Sequence, residues 1–120
     1  MQQQLKASVK DWQHETDHKG SYVAYNVSLE YGSNCKWIVK HRFNEFDGLN
    51  SVLKIHYGNL PALPKKTLFP VKSNDDINTR TQGLSYYVAE LVKRSDVYAN
   101  TNFNSFFEVE KNIPKSGVRT

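Results

Sequence analysis

Four side chains in the middle of the chain carry the chemistry that stands out: the cations Arg42, Lys66 and Arg80, and the aromatic Phe43 beside the first of them. Arg42 closes an alternating run in which Trp37, Val39 and His41 face one way and Lys36, Ile38, Lys40 and Arg42 the other. It therefore stands where a strand hands over to a helix. An arginine fixed there, next to the free amides of a helix N-terminus, is suited to hold a phosphate. Arg80 is a misfit, because it falls on the apolar stripe Ile77, Leu84, Tyr87, Val88 and Leu91 of a helical segment. A third group is apolar: Leu68, Phe69 and Val71 lie in a loop bordered by Lys65, Lys66 and Lys72. Such a tip can enter a membrane interface while each nearby base adds about 1 kcal/mol of attraction to anionic headgroups.

Catalysis would need a nucleophile with its base, a metal set or paired carboxylates in a supported pocket, and no such set is legible. His14 and His18 are four residues apart but have no evident third ligand, so they read as solvated surface and not as a metal site. Cys35 is alone, which rules out an internal disulfide and a thiolate zinc cluster and leaves a structural thiol. The expectation is recognition without enzymatic activity, metal or cofactor.

The elements that must position these residues follow from periodicity. Leu5, Ala7 and Val9 repeat every second residue in a first strand over 5–15, and Gly20 marks a turn. Val23, Tyr25, Val27, Leu29 and Tyr31 alternate through a second strand over 22–31, and Gly32-Ser33-Asn34 turns the chain into the strand that ends at Arg42. Residues 5–43 thus read as a three-stranded antiparallel meander. Phe46, Leu49, Val52 and Leu53 predict a helix over 45–56, with Asn44 as N-cap, Asp47 completing a capping box and Gly58 as the terminating glycine. Pro61 and Pro64 bias the crossover over 60–66 towards an extended form. Asp75 or Asn78 is expected to cap a second helix, and Phe103, Phe106 and Phe107 return in a third over 102–109.

At 120 residues the chain is long enough for one core and one domain. The absence of a 20-residue apolar run or a secretory h-region implies a soluble, intracellular, cytoplasmic domain. The net charge of +4 is uneven: residues 32–94 hold ten bases against five acids, while the flanking segments are close to balance. That concentration favours an anionic partner such as a phosphoinositide, an anionic membrane or a nucleic acid. The aromatics sit in core periodicities and do not interleave with bases as a stacking face would, which argues against nucleic acid.

Three strands, a helix, a proline crossover ending in lysine, a loop with a greasy tip and a helix carrying an inward arginine together resemble the Phox homology (PX) domain. The resemblance covers residues 5–109. Its first motif reads His41-Arg42-Phe43-Asn44-Glu45-Phe46, its second Pro61-Ala62-Leu63-Pro64-Lys65-Lys66 and its third Arg80-Thr81-Gln82-Gly83-Leu84. The third is much like the corresponding helix of sorting nexins, and the stretch from Lys66 to Arg80 is closer to the phagocyte oxidase subunits. The family usually has tyrosine where this chain has Phe43, and arginine or lysine where it has His41. The resemblance implies an α+β fold in which the meander packs on a helical subdomain of about three helices. It sets a domain at 5–110, with 111–120 as a tail or linker to further chain.

It also implies a phosphoinositide-binding, membrane-targeting module that reads phosphatidylinositol 3-phosphate on endosomal or vacuolar membranes in trafficking or sorting. In that scheme Arg42 takes the 3-phosphate and Phe43 lies against the inositol ring. Lys66 reaches the 1-phosphate, and Arg80 bonds the 4- and 5-hydroxyls. Leu68, Phe69 and Val71 insert, with Lys65 and Lys72 as peripheral bases. The domain is expected to be monomeric in isolation, with possible protein partners in a larger trafficking complex. Two alternatives share the fold: a module with relaxed lipid choice, taking other phosphoinositides or phosphatidic acid, and one acting mainly through proteins.

Overall fold

The computed structural model describes residues 4–113. Strands β1 (Leu5–Asp17), β2 (Gly20–Tyr31) and β3 (Cys35–Arg42) form one antiparallel sheet in the order β1-β2-β3. Helix α1 (Phe43–His56) follows β3 without a break, and an irregular crossover leads to α2 (Asn74–Leu91). A 3-10 turn (Ser95–Val97), α3 (Thr101–Phe107) and α4 (Val109–Asn112) complete the α+β fold.

The sheet obeys the alternation of its sequence. Val9, Tyr25, Val27, Leu29 and Val39 are buried on the face that meets the helices, while Lys36, Ile38 and Lys40 are exposed on the other. The register pairs Val27 with both Val9 and Val39, so one apolar row crosses all three strands. Between Val9 and Asp11 the β1–β2 register shifts by a residue, and a bulge of this kind bends its strand. The amide of Val9 there donates to Ser85 Oγ at 2.9 Å, fastening the sheet to α2.

The three expected helices form, but their ends differ, and the 3-10 turn and α4 are additional. The N-cap of α1 is Arg42, not Asn44, and Glu45, not Asp47, accepts the Arg42 backbone N–H at 2.8 Å. Helix α2 starts earlier than Asp75 or Asn78: the Ser73 hydroxyl caps it by accepting from the Asp76 amide at 3.1 Å. Gly58 does not terminate α1 in a left-handed conformation; that conformation falls on Asn59, at φ 54°. The third helix stops at Phe107 because Glu108 turns left-handed (φ 53°), and α4 starts one residue later. Ile113, 5% exposed, carries the packed chain past position 110, and the rest of the expected tail lies outside the described residues.

The C-terminal helices are bolted to β3. Trp37 Nε1 donates to the Phe107 carbonyl at 2.8 Å, His41 Nε2 to that of Phe106 at 2.7 Å, and the Cys35 thiol approaches that of Asn112 at 3.5 Å. A structural role for Cys35 is consistent with that contact.

The crossover is seated on α2 through a glycine. A Cβ at Gly83 would stand 2.6 Å from Pro64 Cγ, closer than two carbons can pack. Mid-helix glycine lowers stability by about 1 kcal/mol relative to alanine, so its presence reflects this close approach. Gly83→Ala is expected to lower the melting temperature by roughly 4 °C, because overpacking of about 1–3 kcal/mol outweighs the helix-propensity gain. Calorimetry that showed an unchanged or higher melting temperature would refute the fit.

Candidate functional site

Separate stretches of the sequence meet in one cleft of about 620 Å³. Arg42 and Phe43 come from the β3–α1 junction, Lys66 from the end of the crossover, Leu68, Phe69, Val71 and Lys72 from the loop after it, and Arg80 from α2. Every residue assigned to the headgroup by sequence therefore lines a common space. Lys65 is exposed but does not line it.

Arg42 is positioned by helix entry. Its amide is capped by Glu45 at 2.8 Å, which fixes the backbone from which the side chain leaves, and its guanidinium Nη1 lies 3.5 Å from Asp17 Oδ2. The carbon of the guanidinium stands 4.0 Å from the centre of the Tyr22 ring. The neighbouring His41 points the other way: it stacks on Phe106 at 3.8 Å between ring centres and does not line the cleft. It occupies a core-facing strand position, so the histidine is an internal packing group and leaves the local field of the cleft to Arg42.

Arg80 enters the core side of α2 as a half-buried cation whose charge is met by several groups. Its guanidinium carbon lies 3.9 Å from the centre of the Phe43 ring, and Nη2 donates to Thr67 Oγ1 at 3.3 Å. The Thr67 hydroxyl in turn donates a hydrogen bond to the Phe69 carbonyl at 2.5 Å, so Arg80 is linked to the loop tip. Tyr25 of β2 is buried beside it. Burial pushes the Tyr25 phenol up from its usual value, and the Arg80 charge and hydrogen bond pull it back in part. The phenol remains protonated at neutral pH.

Phe43 sits at the floor of the cleft. The ring is only 8% exposed and carries the Arg80 guanidinium on one face. Burial by the α1 stripe and a cation–π contact explain this.

Lys66 is held loosely, 70% exposed and 3.7 Å from Asp47 on α1. In the loop, Leu68 is 90% and Phe69 75% exposed, so both project from the rim of the cleft. Val71 is a correction. It is half-buried against the core and forms the foot of the loop, not its tip, because the chain there turns back to start α2.

One wall of the cleft was not foreseen from the sequence. His14, Ser21, Tyr22, Val23 and Tyr25 form it from the β1–β2 hairpin. Tyr22 carried a usable signal, an aromatic on the outward register of β2 that has no core to fill.

Helices with an 18-residue apolar window fit to cross a membrane are absent among the described residues.

Comparison with known proteins agrees with the geometry. A family model described as PX domain matches residues 30–110. The chain is 26% identical over 96 residues to the serine/threonine-protein kinase Sgk3 of Rattus norvegicus, covering 78% of this chain and 19% of the kinase. It is likewise 26% identical over 101 residues to sorting nexin-11 of Homo sapiens, covering 79% of this chain and 37% of the nexin. The chain thus spans about a fifth and somewhat over a third of these relatives. Among solved structures, the X-ray structure of a designed CISK-PX domain superposes with a TM-score of 0.76 at 27% identity, over 87% of this chain and 99% of that one. With the meander, the crossover, the inward arginine and a family match spanning most of the chain, the protein belongs to the PX domain family, whose members are non-enzymatic phosphoinositide-binding modules that target membranes.

Proposed function

We propose that the cleft reads phosphatidylinositol 3-phosphate on the surface of endosomal or vacuolar membranes and so recruits the protein of which it is a module to trafficking or sorting. The observation that carries this reading is the convergence of Arg42, Phe43, Lys66 and Arg80 on one space with Leu68 and Phe69 exposed at its rim.

In this scheme Arg42 takes the 3-phosphate with its planar fork. Lys66, exposed and only loosely paired with Asp47, meets the 1-phosphate nearer the bilayer. Arg80, with its face on Phe43, offers its edge to the 4- and 5-hydroxyls. A phosphate at either of those positions would need space that the Arg80–Phe43 pair occupies, and this excludes lipids phosphorylated there. Phe43 sets the height of Arg80 and presents its small exposed edge to the inositol ring. Lys65 and Lys72 add general attraction to an anionic surface, and Val71 anchors the loop.

The test is vesicle co-sedimentation at matched surface charge, with phosphatidylinositol and each of its phosphorylated forms. Retention on 3-phosphate vesicles at least tenfold above phosphatidylinositol is expected. Equal binding to every phosphorylated form, or to phosphatidic acid, would replace this reading with relaxed lipid choice, and no vesicle binding at all would favour a protein-interaction module.

A further inference from the structure

Arg42 leaves β3 on the outer face of the sheet, directly opposite Ala24 of β2. Ala24 presents only a methyl group, which leaves room for the arginine stem to run across the strand. Two residues along β2 on the same face stands Tyr22, and in the neighbouring strand Asp17 ends β1. The arginine reaches both. Its guanidinium carbon is 4.0 Å from the Tyr22 ring centre, and its Nη1 is 3.5 Å from Asp17 Oδ2. The second Asp17 oxygen accepts the Lys19 amide at 2.8 Å, so the turn itself holds the carboxylate.

A guanidinium binds phosphate along an edge, through two parallel N–H groups, while its flat face is weakly hydrated and stacks on rings. A ring beneath the face and a carboxylate at one nitrogen fix the plane and leave an edge for a ligand. Among the described residues, Nε and Nη2 of Arg42 have no hydrogen-bond partner in the protein. The edge they share is therefore available.

We propose that Tyr22 is a positioning residue for the phosphate-binding arginine: its ring holds the Arg42 guanidinium so that the edge, not the face, enters the cleft. The inference rests on the phosphoinositide reading of the site and adds the β1–β2 hairpin to the elements that set its affinity. Tyr22 belongs to none of the three motifs of the chain, and its place follows from the register that sets Ala24 against Arg42.

The ring, and not the hydroxyl, does this work, which makes the conservative variant decisive. Titration calorimetry with short-chain phosphatidylinositol 3-phosphate is expected to show Tyr22→Phe within twofold of the unmodified domain and Tyr22→Leu about fivefold weaker, the range of a partly exposed cation–π contact. In lipid-free protein the Arg42 Nε–H resonance is expected to be displaced by the ring current, to keep that displacement in Tyr22→Phe and to lose it in Tyr22→Leu. Tyr22→Leu binding as tightly as the unmodified domain, or Tyr22→Phe as weakly as Tyr22→Leu, would overturn the proposal. So would an undisplaced Arg42 signal in the unmodified protein, a result that needs no variant to fold. Failure of the unmodified domain to bind any phosphoinositide would instead overturn the reading of the cleft, and with it the purpose of the clamp.

Discussion

Arg42→Lys is expected to weaken binding to phosphatidylinositol 3-phosphate vesicles by roughly a hundredfold, and Arg42→Ala to reduce it to the level of plain phosphatidylinositol vesicles. Lysine keeps the charge but loses the planar fork, and a charge-assisted hydrogen bond is worth about 1.5–3 kcal/mol, so losing a bidentate pair removes about 3 kcal/mol. The fold has little stake in this side chain. The Arg42 side chain is 41% exposed and has one long ion pair, with Asp17 at 3.5 Å, and pairs of that kind contribute at most about 1 kcal/mol. The Glu45 cap uses the backbone N–H, which every substitution keeps. Melting temperatures within a few degrees of the unmodified domain are therefore expected, and a large fall in melting temperature alongside lost binding would mean that Arg42 is structural.

The paired substitution Leu68→Ser with Phe69→Ser is expected to reduce vesicle binding by about a hundredfold and leave soluble headgroup binding within twofold. Fully burying a Leu or Phe side chain is worth about 1.5–3 kcal/mol, and partial insertion of two gives about 3 kcal/mol in total. Both side chains are solvated in the free protein, at 90% and 75% exposure, so their removal leaves no cavity. Val71 serves as the internal contrast, since its contact is with the core. Surface plasmon resonance on vesicles, paired with calorimetry on the short-chain lipid, separates the two effects. Parallel loss of both activities would show that the tip shapes the cleft and does not enter the bilayer.

The sheet and the helical stripes were legible because many residues repeat the same message. Five alternating apolar positions in β2 and their partners in β1 and β3 agree, and any single exception is outvoted. Helix ends are decided by one residue each, and this chain offers several polar candidates in a row. Ser73-Asn74-Asp75-Asp76 contains four, and the extended backbone at Ser73, ψ 147°, selects the serine. At the start of α1 the choice falls on Arg42, whose side chain is not a cap; the helix begins there because Glu45 reaches back to its amide.

The cleft was half legible for a related reason. Arg42, Lys66 and Arg80 advertise themselves as cations in odd places. The hairpin wall does so only through the outward aromatic Tyr22; Ser21 and Val23 look like ordinary strand residues until the pairing of Ala24 with Arg42 brings them to the site. Gly83 was likewise silent: a glycine in a helix signals a close approach without saying to what, and only the fold supplies Pro64.

The cleft carries its own counter-charges. Arg42 holds Asp17 and Lys66 holds Asp47, so two of the cations that give the central segment its basic excess are neutralised within the domain. Ligand entry is then an exchange of anions at Lys66, where a headgroup displaces Asp47, whereas at Arg42 the Asp17 carboxylate stays on Nη1 and the ligand adds to the free edge. Such a site attracts anions from a distance less strongly than its count of bases suggests, and its ionic-strength dependence is correspondingly shallow. It is also a threshold device: at Arg42, already partly compensated by Asp17, a headgroup with one diffuse negative charge gains little, whereas a phosphomonoester, with nearly two charges and three acceptor oxygens, gains a great deal.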